Sequence, residues 1–145
     1  MGGEGERTAG CETVEHTADV GLRVWGPDLA SLFEQAANGF IGLMLDPARV
    51  AQESERALAA EGEGPEELLV AWLEEILFAF EAKGFAPALA RVESLRDGRV
   101  EGRLSGEAFN PERHEVRNVV KAVTYHDLEV RRTPGGYEVT IIFDL

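Results

Sequence analysis

An apolar stripe at helical spacing runs from residue 68 to residue 80 and leaves few folds open to the chain. Its members recur every three or four positions: Leu68, Leu69, Trp72, Leu73, Ile76, Leu77 and Phe80. This spacing predicts an amphipathic helix that begins after Pro65 and ends near Lys83 and Gly84, a cation and a glycine suited to a last turn. Glutamates interrupt the stripe, which is also shorter than the roughly 20 apolar residues of a membrane span.

A second helical stripe lies nearer the start of the chain and follows a strand pattern. Residues 13 to 25 alternate, which is the period of a half-buried strand. After a Gly-Pro break, Asp28 is suited to cap a helix over residues 29 to 44. Gly39 and Gly42 lower the intrinsic stability of this helix, so either another backbone packs closely there or the last turn is loose.

The remaining pattern is mainly that of strands. They are expected over residues 56 to 60, 88 to 95, 100 to 109, 119 to 132 and 137 to 143. Asp97-Gly98, between two of these runs, is a strong hairpin signal. The order of elements predicts an α+β fold, in which two helices pack on one face of a mainly antiparallel sheet as a single two-layer domain. Residues 1 to 12 are expected to form a flexible N-terminal extension, and residues 13 to 145 the domain.

The chain is strongly acidic, with 27 acidic and 14 basic side chains and a net charge of −13. Such a body repels nucleic-acid phosphate at long range, so direct RNA or DNA binding is not expected. Residues 1 to 80 hold 16 acids and 4 bases, and this half is a candidate surface for a basic protein, unless the glutamates serve solubility alone. One cysteine, with no apparent secretion or anchoring signal, predicts a cytoplasmic protein that is not bound to a membrane.

Two aspartates occupy positions where carboxylates are unexpected. Asp19 interrupts the first strand, and Asp144 follows the apolar residues 141 to 143 as the penultimate residue. If the fold brings both to the terminal carboxylate of Leu145, three anionic groups converge, and they repel one another unless a divalent cation lies between them. Oxygen ligands favour calcium, magnesium or manganese. The alternative is that both aspartates are solvated strand-end residues that never meet.

The histidines and one lysine are weaker candidates. In a regular strand His16 shares an apolar face and Asp19 points the other way, so the two join one site only if the strand bends. His126 shares an apolar face of its own predicted strand, opposite Lys121 and Tyr125. A half-buried histidine and an exposed lysine are the ordinary explanations, although the Lys121 ammonium could also pair with a site carboxylate or a phosphate. Cysteine and histidine are too few and too scattered for a zinc site.

Taken together, these segments resemble the archease family. The resemblance is carried by His16 to Val20, by Leu68-Leu69, Trp72-Leu73, Glu75 and Leu77 in the helix, by Gly106-Glu107, by Lys121 to His126, and by Phe143 to Leu145. It implies a small α+β accessory protein of the tRNA-splicing RNA ligase that works through a guanylylated histidine. It also implies a metal site at Asp19, Asp144 and Leu145, with Lys121, Glu107, His16, Tyr125 and His126 as functional positions near it.

The resemblance further implies that the chain is not itself an enzyme. It would promote guanylylation and multiple turnover of the ligase by means of a divalent cation at an acidic tip, with calcium the expected ion and magnesium or manganese the alternatives. Two other functions remain open at this point. One is a metal-dependent phosphatase or nuclease that acts alone, and the other is a chaperone-like module for RNA-processing proteins.

Overall fold

The computed structural model describes residues 8 to 15 and 19 to 145. The elements in these ranges are β1 (Gly10–Glu15), β2 (Asp19–Gly26), α1 (Leu29–Met44), β3 (Ser54–Glu61), α2 (Gly64–Glu81), β4 (Phe85–Arg96), β5 (Arg99–Ala108), β6 (Ala122–Val123), β7 (Arg131–Thr133) and β8 (Gly136–Asp144). A short 3-10 helix, Pro47–Arg49, follows α1. In this part of the chain, neither α-helix has the length and apolar character needed to cross a bilayer.

The strands form two antiparallel sheets, whereas the sequence pattern had indicated one. The five-stranded sheet has the order β1-β2-β8-β6, with β7 also paired to β8, and the three-stranded sheet has the order β3-β5-β4. Helix α1 packs against β2 and β4, and so touches both sheets, while α2 packs mainly against β3 and β4. The predicted α+β class is confirmed. The division into two sheets was missed because strand periodicity does not report which strands pair.

Both helices form where their apolar stripes predicted them. The Asp28 side chain caps α1 by accepting a hydrogen bond from the Ser31 amide at 2.8 Å. Trp72 of α2 is fully buried, and its indole nitrogen donates to the Phe33 carbonyl at 3.1 Å, which ties the two helices together. After α2, Gly84 has a φ of +65°, the left-handed conformation expected just past a helix end.

One aromatic contact fixes the end of β8 against α1. The rings of Phe40 and Phe143 stack with their centroids 4.8 Å apart and their planes nearly parallel, and both side chains are fully buried. Because Phe143 directly precedes Asp144, this contact anchors the C-terminal end of the chain to the core.

The predicted hairpin at Asp97-Gly98 is confirmed. Both residues have positive φ values, 54° and 72°, which are typical of the tight turn that suits the twist of two antiparallel strands. The short strand expected at residues 56 to 60 is also present, as the centre of β3.

The single strand predicted over residues 13 to 25 is wrong, because this stretch contains two strands that pair with each other. β1 and β2 run antiparallel, with Gly10 opposite Trp25 and Glu15 opposite Val20. Alternation is a property of each strand alone, so it did not reveal the reversal between them. Residues 10 to 12 belong to β1, and the predicted flexible extension therefore overlaps a paired strand.

The long strand predicted over residues 119 to 132 is also wrong. Only β6 and β7 are strands, and the segment between them includes a turn in which Asp127 has a φ of +50°. The Thr124 hydroxyl accepts a hydrogen bond from the His126 amide at 3.2 Å, and the Tyr125 carbonyl accepts one from the Leu128 amide at 3.1 Å. Threonine side chains can offer backbone amides an alternative to ladder hydrogen bonds, and here this occurs directly after β6.

The two glycines of α1 differ in their surroundings, and this difference predicts opposite effects of alanine. A Cβ at Gly39 would lie 2.8 Å from Leu22 Cδ2 and 2.9 Å from Cys11 Sγ, whereas a Cβ at Gly42 would meet nothing within 4 Å. We expect Gly42→Ala to raise the free energy of unfolding by about 0.5–1 kcal/mol, measured by urea denaturation. Gly39→Ala is expected to be less stable than Gly42→Ala by about 1 kcal/mol or more, since sheet side chains must move. Equal stabilisation by both changes would contradict this packing.

Candidate functional site

The first candidate site lies where β2 begins and β8 ends. We call Asp19, Asp144 and Leu145 the acidic tip. The antiparallel register places Asp19 directly opposite Asp144. Directly opposed residues project from the same face of a sheet, with their Cβ atoms about 4.5–5.5 Å apart. Asp19 is half-buried and Asp144 is exposed, and Leu145 follows Asp144 in the chain. The two aspartates are therefore neighbours on one face of the sheet, although they are far apart in the sequence.

The groups at the acidic tip match the ligand preference of a hard divalent cation. Like charges directly opposite each other on paired strands are destabilising, and a cation between them would offset this repulsion. Among residues 8 to 15 and 19 to 145, no three His, Cys, Asp or Glu side chains lie close enough together to hold a metal. A cation bound to Asp19 and Asp144 would therefore need the terminal carboxylate, main-chain oxygens or water to complete its coordination.

Strand β6 lies along the other side of the acidic tip. Ala122 is the register partner of Asp144, and the Lys121 amide donates to the Asp144 carbonyl at 2.7 Å. The Lys121 residue is exposed. The main chain of Lys121, one of the positions implied by the resemblance, thus directly contacts the acidic tip.

Tyr125 and His126 lie on the surface, in the segment that follows β6. Tyr125 is 57% exposed, and desolvation, followed by the carboxylates of Glu67 and Glu74, raises the pKa of its hydroxyl. The His126 ring is also exposed, with Nε2 located 3.3 Å from an oxygen of Asp127. The half-buried environment expected for His126 is therefore wrong, because the strand that would have buried it is not formed. His16 lies outside the described residues.

Glu107 lies on β5, in the other sheet, and its carboxylate is buried. One oxygen accepts a hydrogen bond from the Ala51 amide at 2.9 Å and lies 2.7 Å from His114 Nε2, while Arg113 donates to the second oxygen at 2.6 Å. The hydrogen bond from Ala51, and then that from His114, lowers the pKa of Glu107 from 4.5 to about 2. Glu107 thus links β5 to the loop that follows it and to residue 51, and these contacts do not involve the acidic tip.

His114 is a buried polar residue that the sequence did not reveal. Its exposure is 1%, and its Nδ1 accepts a hydrogen bond from the Asn110 amide at 2.9 Å. Since Nδ1 is an acceptor, the ring proton is on Nε2 and is donated to Glu107. In sequence, His114 is surrounded by charged residues typical of a solvated loop. Only its partnership with Glu107, seven positions earlier, distinguishes it.

The low pKa of Glu107 predicts a pH-dependent contribution to stability. A carboxyl group whose pKa is lower in the folded than in the unfolded state stabilises the fold above its unfolded value. This contribution is lost as the pH falls toward the folded value. We expect the wild-type protein to be more stable than Glu107→Gln at neutral pH, with the difference narrowing as the pH falls from about 4.5 toward 2. Urea midpoints of both proteins across this range test the prediction, and a difference independent of pH would contradict it.

Comparison with known proteins gives a consistent result over nearly the whole chain. Residues 11 to 145 match the model of the archease protein family (MTH1598/TM1083). The protein archease of Methanopyrus kandleri is 39% identical over 137 residues, which cover 92% of this chain and 98% of the relative. That of Thermococcus kodakarensis is 37% identical over 128 residues, or 86% and 90% of the two chains. The solution structure of Methanobacterium thermoautotrophicum protein 1598 superposes with a TM-score of 0.78 at 31% identity, over 93% of this chain and 98% of that one.

Proposed function

The chain belongs to the archease family, whose members are accessory proteins of RNA processing, and we propose that it activates the tRNA-splicing RNA ligase. In this role it promotes guanylylation of the ligase histidine and allows each ligase molecule to complete many turnovers. The observation that carries the proposal is the pairing of Asp19 with Asp144 at the acidic tip. The chemical step belongs to the ligase, and the accessory protein acts on it by transient contact in the cytoplasm.

The three groups of the acidic tip would hold the divalent cation. The two side-chain carboxylates and the terminal carboxylate of Leu145 are hard oxygen ligands, for which calcium is the expected ion and magnesium or manganese the alternatives. When bound, such a cation supplies positive charge that offsets the charge developing on transferred phosphate.

The chain's own residues give the acidic tip a fixed shape and an accessible edge. Asp19 is half-buried within the ladder, so its position is set by the sheet, whereas Asp144 is exposed and can face a partner. The Lys121 amide holds the main chain of Asp144, and Phe143 anchors the same strand to α1. A ligand set held in this way loses little freedom when a partner binds.

Charge complementarity supports a partner with a basic cleft. A ligase that binds RNA presents positive charge around its active site, and this chain has a net charge of −13. The same negative charge would compete with RNA phosphate for the cleft if the contact were long-lived. The contact is therefore expected to be transient and to weaken as the salt concentration rises.

The proposal is tested by an in vitro ligation assay in which the RNA is in large excess over the ligase. The substrates carry a 2′,3′-cyclic phosphate end and a 5′-hydroxyl end, and ligase guanylylation is followed with labelled GTP. With this chain present, we expect faster guanylylation and many ligation events per ligase molecule. If the ligase performs identically without the chain, the proposal is wrong.

The same preparation separates the remaining alternatives. Hydrolysis of a phosphate ester by this chain without the ligase would indicate a metal-dependent phosphatase or nuclease. The chain can also be stripped of its cation with a chelator, which is then removed before the assay. If the stripped chain stimulates the ligase as strongly as before, the contact is chaperone-like. A chaperone surface depends on shape and charge, and it does not require the acidic tip to hold an ion.

A further inference from the structure

The segment after β6 exposes most of its side chains to solvent, and hydrogen bonds hold its backbone in place. We call residues 125 to 129 the tip loop. Thr124, which precedes it, donates from its hydroxyl to the Ile142 carbonyl at 2.9 Å, and its amide donates to the same carbonyl at 3.0 Å. Ile142 lies on β8, two positions before Asp144. The start of the tip loop is therefore attached to the strand that carries the acidic tip.

The same hydroxyl also organises the tip loop itself. It accepts a hydrogen bond from the His126 amide at 3.2 Å, so one side-chain group bridges β8 and the loop. At the other end, the Val130 amide donates to the Glu66 carboxylate at 2.8 Å. Glu66 lies in the first turn of α2, and the loop is thus tethered at both ends, once to the sheet and once to a helix.

Most side chains between the two tethers face solvent, whereas Leu128 is half-buried and packs against the core. Tyr125 is 57% exposed, and the ring of His126 and the carboxylate of Asp127 are largely exposed as well. Desolvation, and after it the carboxylates of Glu67 and Glu74 on α2, raises the pKa of the Tyr125 hydroxyl. An aromatic side chain among carboxylates fits a basic protein surface, to which it can offer both apolar area and cation–π contact.

We propose that Thr124 and Glu66 are positioning residues that hold the tip loop in the conformation that contacts the ligase. A loop that is already ordered loses less conformational freedom on binding than one that must be ordered by its partner. This inference rests on the proposed function, because it assigns the tip loop to the same partner as the acidic tip. The Thr124 hydroxyl acts on the backbone of the loop at His126, and the Glu66 carboxylate acts on the Val130 amide directly after the loop.

Matched pairs of variants test the two tethers. Thr124→Val removes the hydroxyl and keeps the branched shape, and Thr124→Ser keeps the hydroxyl. Glu66→Ala removes the acceptor, and Glu66→Gln keeps an oxygen that can accept from the Val130 amide. We expect Thr124→Val and Glu66→Ala each to raise the chain concentration that gives half-maximal ligase guanylylation about five- to tenfold. The maximal rate should not change, and the Ser and Gln variants should behave as the wild type.

A second readout follows the tethers without the ligase. Amide hydrogen exchange at His126 should accelerate in Thr124→Val, and exchange at Val130 should accelerate in Glu66→Ala, while core amides of α2 stay protected. If these amides become exposed and the half-maximal concentration still equals that of the wild type, the tethers are only structural and the inference is wrong. Absence of stimulation by the wild-type chain would overturn the proposed function, and this inference with it.

Discussion

Asp144→Asn is expected to reduce ligase guanylylation to the level measured without this chain. The change keeps the size and shape of the side chain and removes its charge, so one of the three anionic groups of the acidic tip is lost. Mutation of a residue that only hydrogen-bonds to a metal ligand typically lowers metal affinity about 10–100-fold. We therefore expect the loss of a ligand to weaken calcium binding at least about 100-fold.

The matched control for Asp144→Asn is Asp97→Asn. Asp97 is exposed in the turn between β4 and β5, in the other sheet, and its φ of +54° suits asparagine as well as aspartate. Both variants change the net charge by the same amount, so a general effect of charge on ligase binding would appear in both. The acidic tip is contradicted if Asp144→Asn stimulates the ligase as well as Asp97→Asn does.

A Gly-Ser dipeptide added after Leu145 is expected to reduce ligase stimulation almost as strongly as Asp144→Asn does. The addition moves the terminal carboxylate away from Asp144 and replaces it with a neutral peptide group at the same position. The acidic tip would then retain only two of its three charges, and calcium affinity should fall at least about tenfold. Ligase stimulation at a limiting calcium concentration should fall with it.

Leu145→Ala is the control for the added dipeptide. Leu145 is 36% exposed, and replacing its side chain shortens an apolar group but keeps the terminal carboxylate in place. We expect this variant to bind calcium with wild-type affinity. If the added dipeptide leaves calcium affinity unchanged, the terminal carboxylate is not a ligand. If Leu145→Ala lowers calcium affinity as much as the dipeptide does, the effect comes from the side chain or the surrounding surface.

The two helices, the helix cap at Asp28 and the hairpin turn at Asp97-Gly98 were predictable because their signals are local. The spacing from Leu68 to Phe80, the cap at Asp28 and the turn at Asp97-Gly98 each depend on residues within a few positions of one another. Strand pairing is different, since it joins residues far apart in sequence. Alternation could therefore not show that residues 10 to 15 fold back on β2, or that the strands divide into two sheets.

Part of the candidate site was predictable for a chemical reason. Aspartate is disfavoured in strands, and this singled out Asp19 and Asp144 before their pairing was known. The tip loop was misread because the Thr124 hydroxyl competes with the ladder, an effect that alternation does not register. His114 was passed over because a buried histidine is recognised by its partner, and Glu107 meets it only in the folded protein.

The central claim is that Asp19, Asp144 and the terminal carboxylate of Leu145 jointly bind one divalent cation. The most direct test is calorimetric titration of calcium into the full chain and into Asp19→Asn and Asp144→Asn, with Asp97→Asn as the control. We predict one calcium ion per chain for the wild type and for Asp97→Asn, and an affinity at least about 100-fold weaker for the two tip variants. Equal calcium affinity in all four proteins, or no calcium, magnesium or manganese binding by the wild type, would contradict the claim.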